Sequence, residues 1–284
     1  MDFSDILLVS DYDNTLTGEK HLVPHENINA ILEFTAGGGA FTIASGRGRR
    51  EWYESFRCVP FNAPLILGNG AVIYDTVSDK ALFQTEFSEK QKRAVKELIM
   101  RLPKGLGVMI EASEDMYIPD EIYRNSDFRG FPGAAVYHPP LDDIPGAWDK
   151  VSFMPPFPPF DISKGELPDI SGLDTDIVDE IQRAAEGLGI NGIRSLPFMY
   201  EIPPEGTDKG TSALKLKAML GKKVFAAIGD APNDLGMLRA ADICFVPAGS
   251  ILETEGMIPE HAIITARCED ASIADVAEKL RDLF

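Results

Sequence analysis

Short apolar runs alternate with helical stretches at both ends of this chain, and that alternation limits the folds open to it. Residues 6–9 and 40–44 are apolar runs of strand length, and residues 25–36 between them carry apolar side chains at helical spacing. Further apolar runs at 224–228 and 243–246 also lie between helical stretches. Buried strands that alternate with helices form parallel sheets covered on both faces. The sequence therefore predicts an α/β fold with a doubly wound parallel sheet.

The middle of the chain has a different pattern. Amphipathic helices are predicted at 88–102 and 175–188, with extended and proline-containing pieces between them. This mixture is typical of an α+β module inserted into a larger fold. We therefore expect a Rossmann-like core made of residues 1–83 and 197–284, interrupted by an α+β module over 84–196.

The charge and composition of the chain exclude several classes of function. The net charge is −18, from 27 basic and 45 acidic side chains, which argues against nucleic acid as a partner. An anionic substrate would need a local cation or a few well-placed basic groups. The first residues lack the pattern of a signal peptide, and no apolar stretch is long enough for a membrane helix. The three cysteines lie far apart without CxxC spacing, so neither a disulfide framework nor a zinc site is predicted, and we expect a cytoplasmic protein with reduced thiols. The sequence does not predict the oligomeric state.

Polar residues follow four predicted core strands, including one at 64–67. They are Asp11 and Asp13 after the first strand, Ser45, Gly46 and Arg47 after the second, Gly68, Asn69 and Gly70 after the third, and Asp230, Asn233 and Asp234 after the strand at 224–228. Ligands of open α/β sheets bind beyond the carboxyl ends of the strands. A ligand site is therefore predicted at this edge of the sheet.

Four of these residues are aspartates, and their charges would repel one another at one site. Each like-charged pair at about 4 Å costs roughly 4 kcal/mol at an effective dielectric constant near 20. Either some of the carboxylates are protonated or a cation binds among them, and carboxylate oxygens are ligands that Mg²⁺ prefers. The sequence therefore favours a magnesium site.

Four motifs in this order resemble those of the haloacid dehalogenase superfamily. They are DYDNT at 11–15, IASGR at 43–47, TDKGTSAL around Lys209, and GDAPND at 229–234. The long insertion between the second and third motifs resembles the α/β cap of the Cof-type sugar phosphatase branch, and NGA at 69–71 is also similar to that branch. The inserted module is therefore expected to be a cap domain.

The resemblance implies a role for each matching side chain. Asp11 would be the nucleophile and would form an aspartyl-phosphate. Asp13 would protonate the leaving alkoxide and then deprotonate the attacking water. Ser45 and Lys209 would hold the transferring phosphoryl oxygens, and Thr15 would support the loop.

The resemblance also implies a metal site and a substrate site. Mg²⁺ would bind the Asp11 carboxylate, the main-chain carbonyl of Asp13 and the Asp230 carboxylate, with Asp234 just behind them. The residues expected to face the substrate are Gly46, Arg47, Asn69, Gly70 and Asn233.

The expected activity is hydrolysis of a small phosphomonoester, a sugar or polyol phosphate. The insertion carries 12 Lys or Arg against 20 Asp or Glu over 84–196, which disfavours a polyanionic substrate. Arg124, Arg129 and Arg194 are its candidate specificity residues. A phosphomutase of the same superfamily and a sugar-phosphate sensor without turnover remain alternatives. The segments FVPAGS at 245–250 and CEDASI at 268–273 depart from the Cof-type pattern, so the substrate preference could differ.

Overall fold

The computed structural model describes residues 2–18, 21–49, 52–103, 105–112, 115–125, 136–155, 173 and 175–284. The chain forms two compact units, one of Met1–Gln84 with Thr207–Phe284 and the other of Thr85–Gly206. Among the described residues, no helix has both the length and the apolar character needed to cross a membrane.

The described strands and helices follow one another in this order along the chain. The strands are β1 (Ile6–Ser10), β2 (Ala40–Ile43), β3 (Leu65–Leu67), β4 (Val72–Asp75), β5 (Lys80–Gln84), β6 (Gly107–Ala112), β7 (Asp115–Tyr117), β8 (Val136–Tyr137), β9 (Trp148–Met154), β10 (Ile193–Leu196), β11 (Met199–Ile202), β12 (Val224–Ile228), β13 (Ile243–Pro247) and β14 (Ile263–Thr265). The α-helices are α1 (His25–Ala36), α2 (Trp52–Phe56), α3 (Glu89–Arg101), α4 (Asp120–Tyr123), α5 (Asp176–Gly187), α6 (Lys209–Met219), α7 (Leu235–Ala240), α8 (Ile251–Thr254) and α9 (Ser272–Leu283).

A parallel sheet forms the centre of the first unit. Its strand order is β14-β13-β12-β1-β2, and every pair of neighbours is parallel. Helix α1 connects β1 to β2, and α7 connects β12 to β13. The predicted α/β class with a doubly wound parallel sheet is therefore confirmed.

Strand β1 is buried on both faces because helices cover both sides of the sheet. Its side chains alternate between the two faces, as in any extended strand. Ile6 and Leu8 join the hydrophobic cluster that includes α1 and α9, whereas Leu7 and Val9 join the cluster that includes α6 and α7. A continuous apolar run is therefore required here, and the first polar side chains of the site follow at the carboxyl end of the strand.

The third predicted core strand lies mainly in another sheet. Strand β3 pairs antiparallel with β4, and β4 with β5. It joins the parallel sheet only through a bridge between Ala44 and Ile66, where the Ser45 amide donates to the Ile66 carbonyl at 2.9 Å. The chain reverses directly after β3 because Asn69 and Gly70 both have positive φ, 54° and 99°. The strand predicted at 64–67 is therefore present, and its bridge to the core sheet is parallel, but its regular pairing is antiparallel with β4.

The second unit is a sheet packed on two helices. Its strand order is β10-β11-β9-β6-β7-β8, with antiparallel pairing except between β7 and β8. Helices α3 and α5, both predicted, pack their apolar faces on this sheet, with Leu98 and Ile181 in the same buried cluster as Phe153. Strand β11 pairs with β9, so residues 197–206 belong to this unit, whereas the sequence-based division places them in the core.

Two of the three arginines singled out in the insertion form ion pairs on its surface. Arg124 Nε lies 2.7 Å from Asp120 Oδ1, and Arg194 Nη1 lies 2.6 Å from Asp179 Oδ1. Arg129 lies outside the described residues.

Candidate active site

The loop that follows β1 brings Asp11 to the neighbouring strand. The Asp11 amide donates to the carbonyl of Ile228, the last residue of β12, at 3.0 Å. The loop then turns back on itself, because the amides of Leu16 and Thr17 both donate to the Tyr12 carbonyl. This turn directs Thr15 toward the end of β12, where its hydroxyl donates to Asp230 Oδ1 at 2.7 Å.

Three buried carboxylates meet at this point, those of Asp11, Asp230 and Asp234. They offer oxygens that all lie within 4.8 Å of one another. Lys209 is completely buried among them, with its Nζ 2.5 Å from Asp11 Oδ1 and 2.7 Å from Asp234 Oδ1. The other Asp234 oxygen accepts hydrogen bonds from the amides of Asp230 and Ala231. Asp234 therefore fixes both the lysine and the loop that carries Asp230.

Burial and mutual repulsion dominate the electrostatics of this group. Burial raises the pKa of Asp11 well above its usual range, although Lys209 opposes the rise. Burial, together with the charge of Asp234, raises the pKa of Asp230 to about 7. Burial opposes the charged form of Lys209, but the charges of Asp11 and Asp234 outweigh it and raise the pKa of the lysine. One ammonium among three carboxylates leaves the group suited to a further cation, which Asp11 and Asp230 can hold.

Lys209 reaches the buried group because two glycines let its helix approach closely. Lys209 is the first residue of α6, and the Asp208 side chain caps this helix by accepting from the Thr211 amide. A Cβ on Gly70 would lie 2.2 Å from the Asp208 carbonyl oxygen, and one on Gly210 would lie 2.4 Å from that of Gly236. Glycine is therefore required where the start of α6 meets the turn after β3 and helix α7.

Asp13 lies in a more open position than the other three acids, with its side chain 35% exposed. Arg47 Nε donates to Asp13 Oδ2 at 3.1 Å, and Arg47 Nη2 donates to Asp13 Oδ1 at 2.8 Å. His21 Nδ1 lies 3.6 Å from Asp13 Oδ1. Burial raises the pKa of Asp13, but the interactions with His21 and Arg47 outweigh it and lower the pKa to about 2.

The remaining expected residues meet at the ends of β2 and β3. The Asn69 amide donates to the Ser45 carbonyl, and Asn69 Oδ1 accepts from Asn233 Nδ2 at 3.2 Å. Gly46 lies against the Asn69 side chain, since a Cβ there would be 3.2 Å from Asn69 Oδ1. The Ser45 hydroxyl accepts from the Arg47 amide at 3.2 Å. Asn69 thus connects its own turn with the segments that carry Ser45 and Asn233.

Sequence reasoning missed a buried asparagine that supports the loop after β1. Asn27 of α1 donates from Nδ2 to the Leu16 carbonyl at 3.2 Å, and its Oδ1 accepts from the amides of Ile273 and Ala274. Helix α1 contains two asparagines, and the signal for Asn27 is its helical spacing to the apolar Ile31 and Phe34, which Asn29 does not share. Asn27 therefore joins the loop after β1 to the start of α9.

The divergent segment at 268–273 contacts the same loop. The Ser272 hydroxyl donates to the Thr15 carbonyl at 2.7 Å. Ala271, the residue before α9, adopts a left-handed conformation with φ 63° and ψ 58°. This segment therefore supports the loop after β1 through the Ser272 hydrogen bond. Its departure from the Cof-type pattern places an alanine, Ala271, in a strained conformation.

Comparisons with known proteins agree with this geometry. A family model described as haloacid dehalogenase-like hydrolase matches residues 8–248. The chain is 24% identical over 249 residues to the phosphoglycolate phosphatase of Methanopyrus kandleri, covering 86% of this chain and 84% of that protein. It is 25% identical over 259 residues to the 5-amino-6-(5-phospho-D-ribitylamino)uracil phosphatase YwtE of Bacillus subtilis, covering 81% and 83%.

A solved structure shows the same fold. The HAD subclass IIB sugar phosphatase BT4131 matches with a TM-score of 0.71 at 15% identity, covering 97% of this chain and 98% of that one. The family model spans most of the chain, from β1 to the end of β13. The protein therefore belongs to the haloacid dehalogenase-like hydrolases, and the superfamily and Cof-type branch predicted from its motifs are confirmed.

Proposed function

We propose that the protein is a Mg²⁺-dependent phosphatase that hydrolyses a sugar or polyol phosphate through an aspartyl-phosphate intermediate. The observation that carries this proposal is the buried group in which Lys209 Nζ contacts Asp11 Oδ1 at 2.5 Å, beside the Asp230 carboxylate. Two relatives are named as phosphatases, one of them for a phosphorylated ribitylamino compound, which supports the substrate class.

Asp11 is the proposed nucleophile. Its carboxylate oxygen attacks phosphorus, the new Asp11 O–P bond forms, and the bond from phosphorus to the alkoxide breaks. Lys209 compensates the negative charge of the phosphoryl oxygens, and its burial makes this interaction strong because water does not screen it. Ser45 and the turn at Asn69 and Gly70 are the proposed partners of the same oxygens.

Asp13 is the proposed acid and base. It protonates the leaving alkoxide in the first step and takes a proton from the attacking water in the second. Its lowered pKa keeps Asp13 charged before substrate binds, so the acid role requires the negative phosphoryl group to raise this pKa on binding. The partly exposed position of its carboxylate supports both roles, because a leaving group and water can both reach it. Arg47 orients the carboxylate through its two hydrogen bonds.

The donor set of the buried group fits Mg²⁺. All three acidic groups are carboxylates, which suit a hard cation. Asp234 already accepts from Lys209 and from two amides, so the proposed ligands are the carboxylates of Asp11 and Asp230 with the main-chain carbonyl of Asp13. Bound there, Mg²⁺ supplies positive charge for the phosphoryl oxygens.

Phosphate release from a panel of sugar and polyol phosphates tests the proposal, with Mg²⁺ or with chelator. Asp11→Asn removes the nucleophile, and Asp5→Asn is the matched control because Asp5 is an exposed acid in an ion pair with Lys223. We expect Mg²⁺-dependent release that is lost in Asp11→Asn and kept in Asp5→Asn. Formation of an isomeric sugar phosphate without free phosphate would indicate a mutase. Binding of a sugar phosphate without either product would indicate a sensor.

A further inference from the structure

His21 lies outside the four motifs, at a fixed place beside the loop after β1. Its amide donates to the Gly18 carbonyl at 2.8 Å, and the Gly18 amide donates to the Leu22 carbonyl at 3.2 Å. His21 has a positive φ of 52°, which is uncommon for a residue other than glycine. The two hydrogen bonds and this conformation together fix the direction of the Cα–Cβ bond of His21.

The imidazole lies next to the exposed part of Asp13. His21 Nδ1 is 3.6 Å from Asp13 Oδ1, which is too long for a hydrogen bond but close enough for an electrostatic contact. The side chains are 46% and 35% exposed, respectively. Arg47 already donates to both oxygens of Asp13, so the ring of His21 is a second polar neighbour of this carboxylate. A molecule that touches Asp13 from solvent is therefore within reach of His21.

We propose that His21 is a specificity-determining residue that hydrogen-bonds a hydroxyl group of the leaving group. The proposal rests on the proposed role of Asp13, because Asp13 contacts the leaving oxygen only if it is the acid of the reaction. An imidazole offers a nitrogen donor and a nitrogen acceptor, and a hydroxyl can pair with either one. The proposed partner is the hydroxyl on the second carbon from the scissile oxygen, as in glycerol 1-phosphate. The favoured substrates are thus hydroxylated alkyl phosphates.

The conformation of His21 determines which variants are informative. Glycine and asparagine both tolerate positive φ, so His21→Gly and His21→Asn preserve the turn, whereas alanine would strain it. His21→Gly removes the side chain, and His21→Asn keeps a shorter hydrogen-bonding group. His261→Asn is the matched control, since His261 is an exposed histidine of the same unit.

The test compares two substrates that differ only in hydroxyl groups, glycerol 1-phosphate and n-propyl phosphate, by kcat/KM with Mg²⁺. We expect the wild-type protein to prefer glycerol 1-phosphate. In His21→Gly we expect its kcat/KM to fall about tenfold, as for one lost hydrogen bond, while that of n-propyl phosphate changes less than about twofold. His21→Asn should lie between the two, and His261→Asn should equal the wild type.

Three results would overturn the proposal. An equal fall for both substrates would show that His21 acts on Asp13 rather than on the leaving group. If kcat/KM fell for neither substrate in His21→Gly, the imidazole would contact no hydroxyl. The same would follow if the wild-type protein did not prefer glycerol 1-phosphate. Hydrolysis of p-nitrophenyl phosphate by the wild-type protein, lost in Asp11→Asn, separates these results from a failure of the proposed function.

Discussion

Arg47 holds the carboxylate of Asp13 at both oxygens, through hydrogen bonds of 3.1 Å from Nε and 2.8 Å from Nη2. Arg47 is itself held, because Nη1 donates to the Ser55 hydroxyl and the guanidinium lies over the Tyr12 ring, 5.6 Å from its centroid. A planar guanidinium is required for such a two-point contact, and a lysine ammonium cannot reproduce it. The orientation of Asp13 therefore depends on arginine at this position.

Arg47→Lys should lower kcat roughly tenfold or more for an alkyl phosphate, because it removes one of two charge-assisted hydrogen bonds to the proposed acid. The fall should be smaller for p-nitrophenyl phosphate, whose leaving group needs little protonation. Steady-state kinetics with both substrates measures the difference. Arg281→Lys, which changes an exposed arginine paired with Glu33, should alter neither. Equal losses on the two substrates would contradict an effect through Asp13.

Thr15→Val should weaken Mg²⁺ binding roughly 10–100-fold without unfolding the protein. Valine has the shape of threonine but lacks the hydroxyl that donates to Asp230 Oδ1 at 2.7 Å. The Mg²⁺ concentration needed for half-maximal phosphate release measures the change. Thr35→Val is the control, because the Thr35 hydroxyl bonds only within α1. An unchanged Mg²⁺ requirement would exclude Thr15 as a support for a metal ligand.

Asn27→Ala should lower the free energy of unfolding by roughly 2–3 kcal/mol, because the Leu16 carbonyl and the Ile273 amide lose their buried partner, whereas the Ala274 amide keeps the Ala271 carbonyl. Urea denaturation measures the loss. Asn29→Ala, two residues along the same helix and exposed, should cost much less. If the two variants were equally stable, the bridge from α1 to α9 would contribute nothing.

Ala271→Gly should raise the free energy of unfolding by about 0.5–1 kcal/mol. Alanine at φ 63° is strained, and the relief exceeds the entropy that glycine adds to the unfolded chain. Ala274→Gly in the first turn of α9 should have the opposite sign, since α-helical alanine is unstrained. Thermal denaturation of both variants measures the change in Tm. A lower Tm for Ala271→Gly would mean that the left-handed alanine carries no strain.

Asp242→Asn should destabilise the protein above about pH 4 and progressively less at lower pH. Hydrogen bonds from Lys217 and from the Phe225 amide lower the pKa of Asp242, against a small opposing effect of burial. A lowered folded-state pKa stabilises the fold above the unfolded-state value, and the contribution is lost as pH falls through the folded-state value. Urea denaturation at pH 6 and at about pH 3.5 measures the change. If the difference in unfolding free energy between the wild type and Asp242→Asn grew as the pH fell, the prediction would have the wrong sign. Asp282→Asn, at an exposed position in α9, is the control.

The proximity of Asp11 to Asp230 could be predicted because it depends on local patterns. An apolar run predicts a strand, and parallel strands end at one edge of a sheet, so the residues that follow β1 and β12 are brought together. The same reasoning places Ser45 near this edge. Lys209 needed the resemblance, since a lysine at the start of a helix is ordinarily exposed.

Contacts between distant segments could not be predicted in this way. Asn27 bonds to residues 246 and 247 positions away, and nothing in the spacing of α1 names those partners. The pairing of β3 depends on the left-handed conformation of Asn69, a residue type that many ordinary turns also contain. Ala271 adopts a conformation that its residue type disfavours, so propensity alone predicts another one.

The insertion of Thr85–Gly206 also determines the order in which the protein can fold as it is synthesised. Strand β1 lies between β2 and β12, and the whole insertion separates β2 from β12 along the chain. The strands of the insertion pair among themselves, so they can form their sheet before β12, the second neighbour of β1, has been synthesised. Lys209 and Asp230 leave the ribosome only after the insertion. A nascent chain therefore carries Asp11 and Asp13 early, but it lacks the complete buried group until Asp234 has been made.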